Sequence, residues 1–262
     1  MLDLLIYLVL GALAGTLSGL FGIGGGLVIV PVLITTFSVM GLSQEIYIHM
    51  AIATSLATIV ITAATAIANH NKRGNVDWDV VKRFTPGVIL GAYLGGVIAD
   101  RVPADSLATL LGIFMLLIAA QMLLGLKPDA GRQLPGSGGL FAAGGVIGTL
   151  SAMVGIGGAS LSVPFFRYCS LAMNRAVGTS ATLTLPIAVA GVTSFVVNGW
   201  GSSALPEWTL GYVYLPAFAG IAIASSQFVR VGAALGAKLS QLWLQRSFAL
   251  FLVFMGVKLL LS

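Results

Sequence analysis

Two short glycine-rich segments of this sequence contain residues that can bind an anion through the backbone. They comprise Gly22, Gly24, Gly25 and Gly26 in the first segment and Gly155, Gly157 and Gly158 in the second. Each segment precedes an apolar stretch with helical character, and the first turn of a helix presents unpaired N–H groups at the positive end of the helix dipole. Because glycine lets a ligand approach the backbone closely, the segments predict an anion site without a buried Lys or Arg.

Hydroxyl side chains near these segments are candidate hydrogen-bond donors to the same anion. They are Ser18, Thr54 and Ser55 in the first half of the chain and Ser151, Thr179 and Ser180 in the second. A hydroxyl in a membrane helix can instead bond to the carbonyl one turn back, which is a purely structural role. The recurrence of a Thr-Ser pair at matching places keeps the binding role open beside the structural one.

A further set of residues is predicted to take part in gating or to line a vestibule. It consists of Pro31, Pro164, His49, Asn174, Arg167 and Arg175. Each proline lacks an N–H and leaves a carbonyl without its helical partner, so the helix can kink there or present that carbonyl to a coupling cation. His49 is either a proton-linked switch or an interfacial histidine, and the two arginines are rivals of the neutral donors for the anion.

The acidic residues fall in predicted loops or at predicted helix ends, which disfavours a cation substrate and suits an anion. The sequence does not match the usual catalytic and cofactor-binding motifs. The first glycine run lacks the last glycine of a dinucleotide-binding fingerprint, and no Lys-Ser or Lys-Thr follows it as in a phosphate-binding loop. One cysteine and two histidines do not make a usual zinc site. We therefore predict no enzyme, no cofactor and no metal.

The two glycine segments belong to a duplicated unit. Gly11–Leu33 aligns without gaps to Gly144–Phe166, with 11 of 23 positions identical, including the motifs GTLS, GIGG and VP. Two copies of one element favour two half-sites that meet. The alternative is that the glycines only allow close packing of helices.

Composition places these elements in a membrane. Hydrophobic residues make up 58% of the 262 residues and charged residues only 8%, too few to coat a soluble globule. The 13 Lys and Arg residues exceed the 8 Asp and Glu, but they form no basic block, so nucleic acid is not a predicted partner. The predicted partners are membrane lipid and a small anion, with a proton or sodium as coupling ion left open and the oligomeric state unknown.

The predicted fold is an all-α polytopic membrane protein made of two inverted repeats. Residues 1–126 form the first repeat, with a Gly-broken helical hairpin over 4–40 and helices over 46–69, 84–99 and 107–126. A cytoplasmic linker over 127–139 leads to the second repeat, residues 140–262, with a hairpin over 140–171 and helices over 176–198, 208–229 and 242–261. The 37-residue segment Leu4–Met40 is too long for one crossing and short for two, which favours a hairpin.

The distribution of Lys and Arg supports the hairpins. If both long segments turn back, Arg101 and Lys258 lie on one side and the other eleven cations on the opposite side, as the positive-inside rule requires. Single crossings would divide the cations seven to six. The predicted location is therefore the inner cell membrane, with both termini extracytoplasmic.

The duplicated pattern G-x-x-x-G-x-x-S-x-x-x-G-I-G-G followed by V-P resembles the TauE/SafE family of membrane exporters over nearly the whole chain. The second copy departs from the first at Ala152 and Ala159, so the two half-sites are not equivalent. The resemblance implies a secondary transporter that exports sulfite or a small organosulfonate by alternating access. A transporter of another small anion or sulfur compound, an anion channel, and a structural membrane protein without flux are the alternatives.

Overall fold

Helices joined by short turns make up almost all of the chain in the computed structural model, which describes residues 2–21, 25–125, 131–236 and 240–261. The helices are α1 Leu2–Phe21, α2 Gly26–Val39, α3 Gln44–Lys72, α4 Trp78–Arg101, α5 Ala104–Leu123, α6 Ser137–Val154, α7 Ala159–Tyr168, α8 Met173–Asn198, α9 Leu215–Gly236 and α10 Gln241–Leu261. Two short antiparallel strands, β1 Thr209–Leu210 and β2 Val213–Tyr214, precede α9.

Six of the described helices, α3, α5, α6, α8, α9 and α10, are long and apolar enough to cross a membrane. Shorter apolar helices are α2 and the part of α1 from Ile6 to Leu17. Exposed tryptophans lie near helix ends, where such side chains favour the membrane interface; they are Trp78, Trp200, Trp208 and Trp243. The predicted class, an all-α multi-pass membrane protein, is confirmed.

Both long apolar segments break at their glycines. In the first, α1 ends at Phe21 and α2 begins at Gly26. In the second, Gly155 adopts a φ of +75° and ends α6, and Gly158 adopts a φ of +76° immediately before α7. An L side chain is strained in this left-handed region, so glycine at these two positions sets where the helices stop and start.

The apolar stretch predicted as a helix over 208–229 is different in the structure. Its first residues form the β1–β2 hairpin, in which Gly211 has a φ of +54° and leaves no room for a side chain against the Val196 backbone. Helix α9 then starts at Leu215, and Pro216 fits its first turn because the missing N–H has no helical partner there.

The helices of the two halves interleave. α3 and α8 pack together at the centre, where their hydroxyl-bearing residues Thr54, Ser55, Thr179 and Ser180 are fully buried. α1 packs along α9 and α4 along α6, so the first helix of each half lies on the fourth helix of the other half. α5 packs on α10. If each helix is replaced by its equivalent in the other half, the same helix pairs result.

Glycines of the repeated motif make the α1–α9 and α6–α4 contacts. A Cβ on Gly15 would lie 2.6 Å from the Cα of Ser225, and a Cβ on the equivalent Gly148 would lie 2.5 Å from the carbonyl oxygen of Val88. Both distances are shorter than any ordinary packing contact. The packing role considered for the glycines therefore applies to the G-x-x-x-G part of the motif, whereas Gly155 and Gly158 of the second GIGG form the break between α6 and α7.

Candidate functional site

The two glycine segments meet in the folded chain. A Cβ on Gly26, the first residue of α2, would lie 2.8 Å from the Gly155 carbonyl oxygen and 2.8 Å from the Cα of Ile156. Ile156 is three residues before the start of α7, so chain length alone keeps the first turns of α2 and α7 within about 11 Å of each other. The structure thus brings two helix N-termini to one place.

The first turns of both helices present free N–H groups there. The first helical bonds of α2 run from the N–H groups of Val28 and Ile29 to the Gly25 carbonyl, and those of α7 run from Leu161 and Ser162 to the Gly158 carbonyl. The N–H groups that precede these bonds have no partner within the helix. Neither N-cap, Gly25 or Gly158, carries a side chain that could satisfy them.

Ser151 faces this second segment. Its Oγ is buried and has no hydrogen-bond partner among the described residues, and it lies 3.0 Å from the point that a Cβ on Gly158 would occupy. A buried hydroxyl without a partner costs free energy unless another group completes it. Ser151 therefore has an unused hydroxyl donor beside Gly158, the residue immediately before α7.

Ser55 and Ser180 differ in their hydrogen bonds. Ser55 donates its hydroxyl hydrogen to the Gly155 carbonyl oxygen over 3.0 Å, so it holds α3 to the second glycine segment. The Oγ of Ser180 is buried without a partner among the described residues. Thr184, one turn further along α8, contacts the position of a Cβ on Gly157.

Thr54 and Thr179 take equivalent structural roles. The Thr54 hydroxyl accepts a hydrogen bond from the backbone N–H of Tyr214, the residue immediately before α9, over 3.0 Å. The Thr179 hydroxyl accepts one from the backbone N–H of Asp77, the residue immediately before α4, also over 3.0 Å. Each threonine of a central helix therefore holds the start of the fourth helix of one half.

The two prolines lie inside the helices that follow the glycine segments. Pro31 lies in α2 and Pro164 in α7, and each removes the N–H partner of the carbonyl one turn back, at Leu27 and Ser160. These carbonyls belong to the first turns that border the glycine segments. A coupling-cation role for them stays a prediction.

His49 and Asn174 occupy very different surroundings. His49 is buried near the start of α3, where its Nδ1 lies 2.9 Å from the Glu45 carbonyl oxygen and its Nε2 lies 2.9 Å from the Ala99 carbonyl oxygen. Asn174 is exposed near the start of α8. The structure therefore does not give the two candidates comparable contacts.

The two arginines are engaged with neighbouring groups. Arg167 donates from Nη1 to the Leu171 carbonyl over 3.0 Å. Arg175 forms a salt bridge of 3.2 Å with Asp77, and half of its side-chain surface is exposed to solvent. Asp77 also caps α4 by accepting from the Val80 N–H. The structure thus places Arg175 beside the junction that Thr179 holds.

Three predicted site positions lie outside what the structure describes. Gly22 and Gly24 are outside the described residues, and Ser18 lies in α1 with its side chain outside them. The described part of the first half-site consists of Gly25 and Gly26, the start of α2 and the buried face of α3.

Comparison with known proteins identifies the family. The family model of the sulfite exporter TauE/SafE matches residues 7–259, nearly the whole chain. The chain belongs to the TauE/SafE family. The resemblance seen in the two glycine motifs is therefore confirmed, and it covers the helices of both halves.

Curated relatives carry the names of membrane transporters. A probable membrane transporter protein of Haemophilus influenzae is 36% identical over 260 residues, covering 99% of this chain and 98% of the relative. The probable membrane transporter protein YunE of Bacillus subtilis is 31% identical over 219 residues, covering 76% and 80%. MJ0441 of Methanocaldococcus jannaschii, also a probable membrane transporter protein, is 27% identical over 260 residues, covering 98% and 95%. No solved structure matches the chain.

Several residues of this TauE/SafE site are not evident from sequence. Thr184 and Ile187 border Gly157 and Gly158, and Ile52 borders Gly155. They lie in apolar helical stretches and belong to no motif, so only the fold reveals them. Tyr214 and Asp77 each directly precede a helix, and this shared position is a signal that a closer comparison of the two halves could find.

Proposed function

We propose that this TauE/SafE chain is a secondary transporter that exports sulfite or a small organosulfonate by alternating access of two inverted repeats. The observation that carries the proposal is the contact between Gly26 and Gly155, which joins two helix N-termini beside the unpartnered hydroxyl of Ser151. Backbone N–H groups and a hydroxyl form an anion site of the kind found at broken helices in transporters.

The chemistry of the site suits an oxyanion. Sulfite and sulfonates each present three oxygens that accept hydrogen bonds from neutral donors. Arg175 is paired with Asp77 and Arg167 with a carbonyl, so both cations are already engaged elsewhere. Neutral donors hold an anion weakly enough for release, as transport requires.

The interleaved packing supports alternating access. α3 reaches the second glycine segment through Ser55 and the start of α9 through Thr54, so elements of both halves meet around one site. A movement of one half against the other would alter both connections together. With the eleven-to-two distribution of cations, the proposal includes an inner-membrane location and extracytoplasmic termini.

Flux in proteoliposomes tests the proposal. We expect the purified protein to carry radiolabelled sulfite with a rate that saturates and with stimulation by sulfite on the opposite side. Gly158→Val should abolish flux, because valine is strained at a positive φ and its side chain fills the space beside Ser151. Flux that rises linearly with concentration and shows no trans-stimulation would indicate an anion channel instead.

Competition experiments address the substrate class. Methanesulfonate, taurine and sulfate are added in excess to the same vesicles during sulfite uptake. We expect the sulfonates to compete. If sulfite flux saturates but only an unrelated small anion inhibits it, the substrate belongs to another class. The carrier mechanism would still hold in that case.

A further inference from the structure

His49 is held between two acceptors. Its Nδ1 and Nε2 each lie 2.9 Å from a backbone carbonyl oxygen, that of Glu45 in the same helix and that of Ala99 in the last turn of α4. A neutral imidazole has one N–H and can donate to one of these oxygens only. The imidazolium form has two, and it satisfies both contacts.

Two groups with partial negative charge lie against the ring. The carbonyl of Ala99 belongs to the C-terminal end of α4, which is the negative end of the helix dipole. The ring of Tyr212 lies against the imidazole with a centroid distance of 5.3 Å and an interplanar angle of 31°. An aromatic face attracts a cation at this distance.

Asp100 is the acidic side chain fixed beside this pair. It accepts a hydrogen bond of 2.9 Å from the Tyr212 hydroxyl, and burial followed by this bond raises the pKa of Tyr212 to about 12, so the tyrosine remains a donor. The titratable side chains nearest along the chain to His49, Ala99 and Tyr212 are, besides Asp100, Glu45 and Tyr47 of α3, Arg101 of α4 and Tyr214 of β2, and the neighbouring α5 carries Asp105 near its start. Glu45, Arg101 and Asp105 are exposed.

We propose that His49 is the proton-coupling site of this transporter: its protonation binds α3 to α4 and favours the anion at the glycine segments. The proposal rests on the anion site put forward above. It deepens that function by naming the coupling ion, which is a proton.

A short structural path joins the two sites. Ser55, which donates to the Gly155 carbonyl, lies six residues after His49 on the same helix, about 9 Å along its axis. The Thr54 hydroxyl accepts a hydrogen bond from the N–H of Tyr214. Tyr214 lies two residues after Tyr212, the tyrosine that packs on His49. Loss of the proton removes one of the two carbonyl contacts and the positive charge of the ring. Proton and anion should therefore bind with positive, reciprocal coupling.

Calorimetric titration of the purified full-length protein with methanesulfonate tests the coupling, because the charge of this probe is constant between about pH 5 and 8.5, the range in which histidines titrate. We expect the dissociation constant to rise about tenfold from pH 6 to pH 8, within the usual range of coupling between sites. Heats measured in two buffers with different ionisation enthalpies should show proton uptake on binding near pH 7.

His49→Gln should bind with a pH-independent affinity and without proton uptake, whereas His70→Gln, which removes the other histidine, should behave as wild type. A wild-type affinity that is independent of pH, or an unchanged pH dependence in a folded His49→Gln protein, overturns the proposal. Replacement of sodium by choline should have no effect. An affinity that follows sodium and not pH would assign the coupling to sodium instead.

Nitrogen NMR of the histidine rings separates this inference from the proposed function. In His70→Gln protein, which retains His49 alone, we expect both ring nitrogens to be protonated at pH 6. A single neutral tautomer throughout pH 5 to 7 overturns the proton site even if methanesulfonate binds. Absence of methanesulfonate binding at every pH, with a doubly protonated ring, contradicts the anion site and the coupling but leaves the proton site standing.

Discussion

Ser55 and Ser151 border the same glycine segment but use their hydroxyl hydrogens differently. Ser55 donates to the Gly155 carbonyl, whereas Ser151 has no partner among the described residues. A hydrogen bond to a charged ligand contributes about 1.5–3 kcal/mol. We therefore predict that Ser151 and Ser180, whose hydroxyls are both without a partner among the described residues, donate to the anion, and that Ser55 organises the segment.

The first prediction separates these roles. Ser151→Ala and Ser180→Ala should raise the dissociation constant for sulfite about 10- to 100-fold with little change in thermal stability, because neither removes a protein hydrogen bond. Ser55→Ala should lower the free energy of unfolding by about 1–3 kcal/mol, because it leaves a buried carbonyl without its partner. Calorimetry and thermal unfolding in the same detergent measure both quantities.

The rival site is tested in the same series. Arg167→Gln and Arg175→Gln should bind sulfite within about twofold of wild type, since both guanidinium groups are engaged elsewhere. If either arginine variant loses binding while both serine variants retain it, the basic vestibule holds the anion and the neutral site is wrong.

The second prediction concerns the space at Gly158. Gly158→Ala adds a Cβ 3.0 Å from the Ser151 Oγ at a φ of +76°, so it should weaken sulfite binding at least tenfold. Gly74→Ala is the matched control: Gly74 has a φ of +67° but no atom within 4 Å of a new Cβ. Both variants should lose about 1–2 kcal/mol to backbone strain, and only the first should lose affinity. Equal sulfite affinities in the two variants would exclude Gly158 from the site.

At the scale of elements, two equivalent hydrogen bonds hold the fourth helix of each half. Thr54 accepts from Tyr214 before α9, and Thr179 accepts from Asp77 before α4. The sequence shows that Thr-Ser recurs, but the partners lie 160 and 102 residues away, so their pairing depends on the tertiary fold. The binding role considered for these hydroxyls stays a prediction, and the structural role is what the contacts supply.

The third prediction follows from this equivalence. Thr54→Val and Thr179→Val keep the side-chain shape but leave a backbone N–H without its acceptor, so each should lower the free energy of unfolding by about 1–3 kcal/mol. Thr182→Val is the control, because the Thr182 hydroxyl only donates to the Gly178 carbonyl within its own helix. In thermal unfolding, the melting temperatures of Thr54→Val and Thr179→Val should fall by similar amounts, and that of Thr182→Val should fall less. A large loss for one threonine alone would contradict the equivalent roles.

The breaks in the helices were more predictable than their partners. Segment lengths and glycines were enough to predict that Leu4–Met40 and Leu140–Leu171 each contain two helices. The β1–β2 hairpin was missed because the residues around Trp208 are apolar and resemble the start of a helix. Pro206, Gly211 and Pro216 were available as turn signals. Contacts such as Gly26 with Gly155 join segments about half the chain apart, so the sequence predicts them only through the duplication.

For the whole molecule, interleaved packing and charge give one consistent arrangement. The hairpin prediction places Arg101 and Lys258 on one side of the membrane and the other eleven cations on the opposite side. In the structure, the Lys258 Nζ donates to the Thr35 hydroxyl near the end of α2 over 3.2 Å. This contact places the ends of α2 and α10 on one side of the molecule. The hairpin arrangement requires it, because α2 returns to the side on which α1 begins.

The last prediction tests orientation in cells. Single cysteines are introduced at Ser43 and Ser203, which are exposed between α2 and α3 and between α8 and β1, and at Gln133, which is exposed before α6. Native Cys169 is first replaced by serine; it is buried, and desolvation raises the pKa of its thiol, so the change should not disturb the surface. None of the three sites removes a Lys or Arg, so the charge that orients the chain is preserved.

A membrane-impermeant maleimide should label Ser43→Cys and Ser203→Cys in intact cells and should label Gln133→Cys only after lysis. The reverse pattern would invert the molecule. Labelling in which Ser203→Cys follows Gln133→Cys instead of Ser43→Cys would contradict the second hairpin, because residues 140–171 would then cross the membrane once before α8 crosses it again.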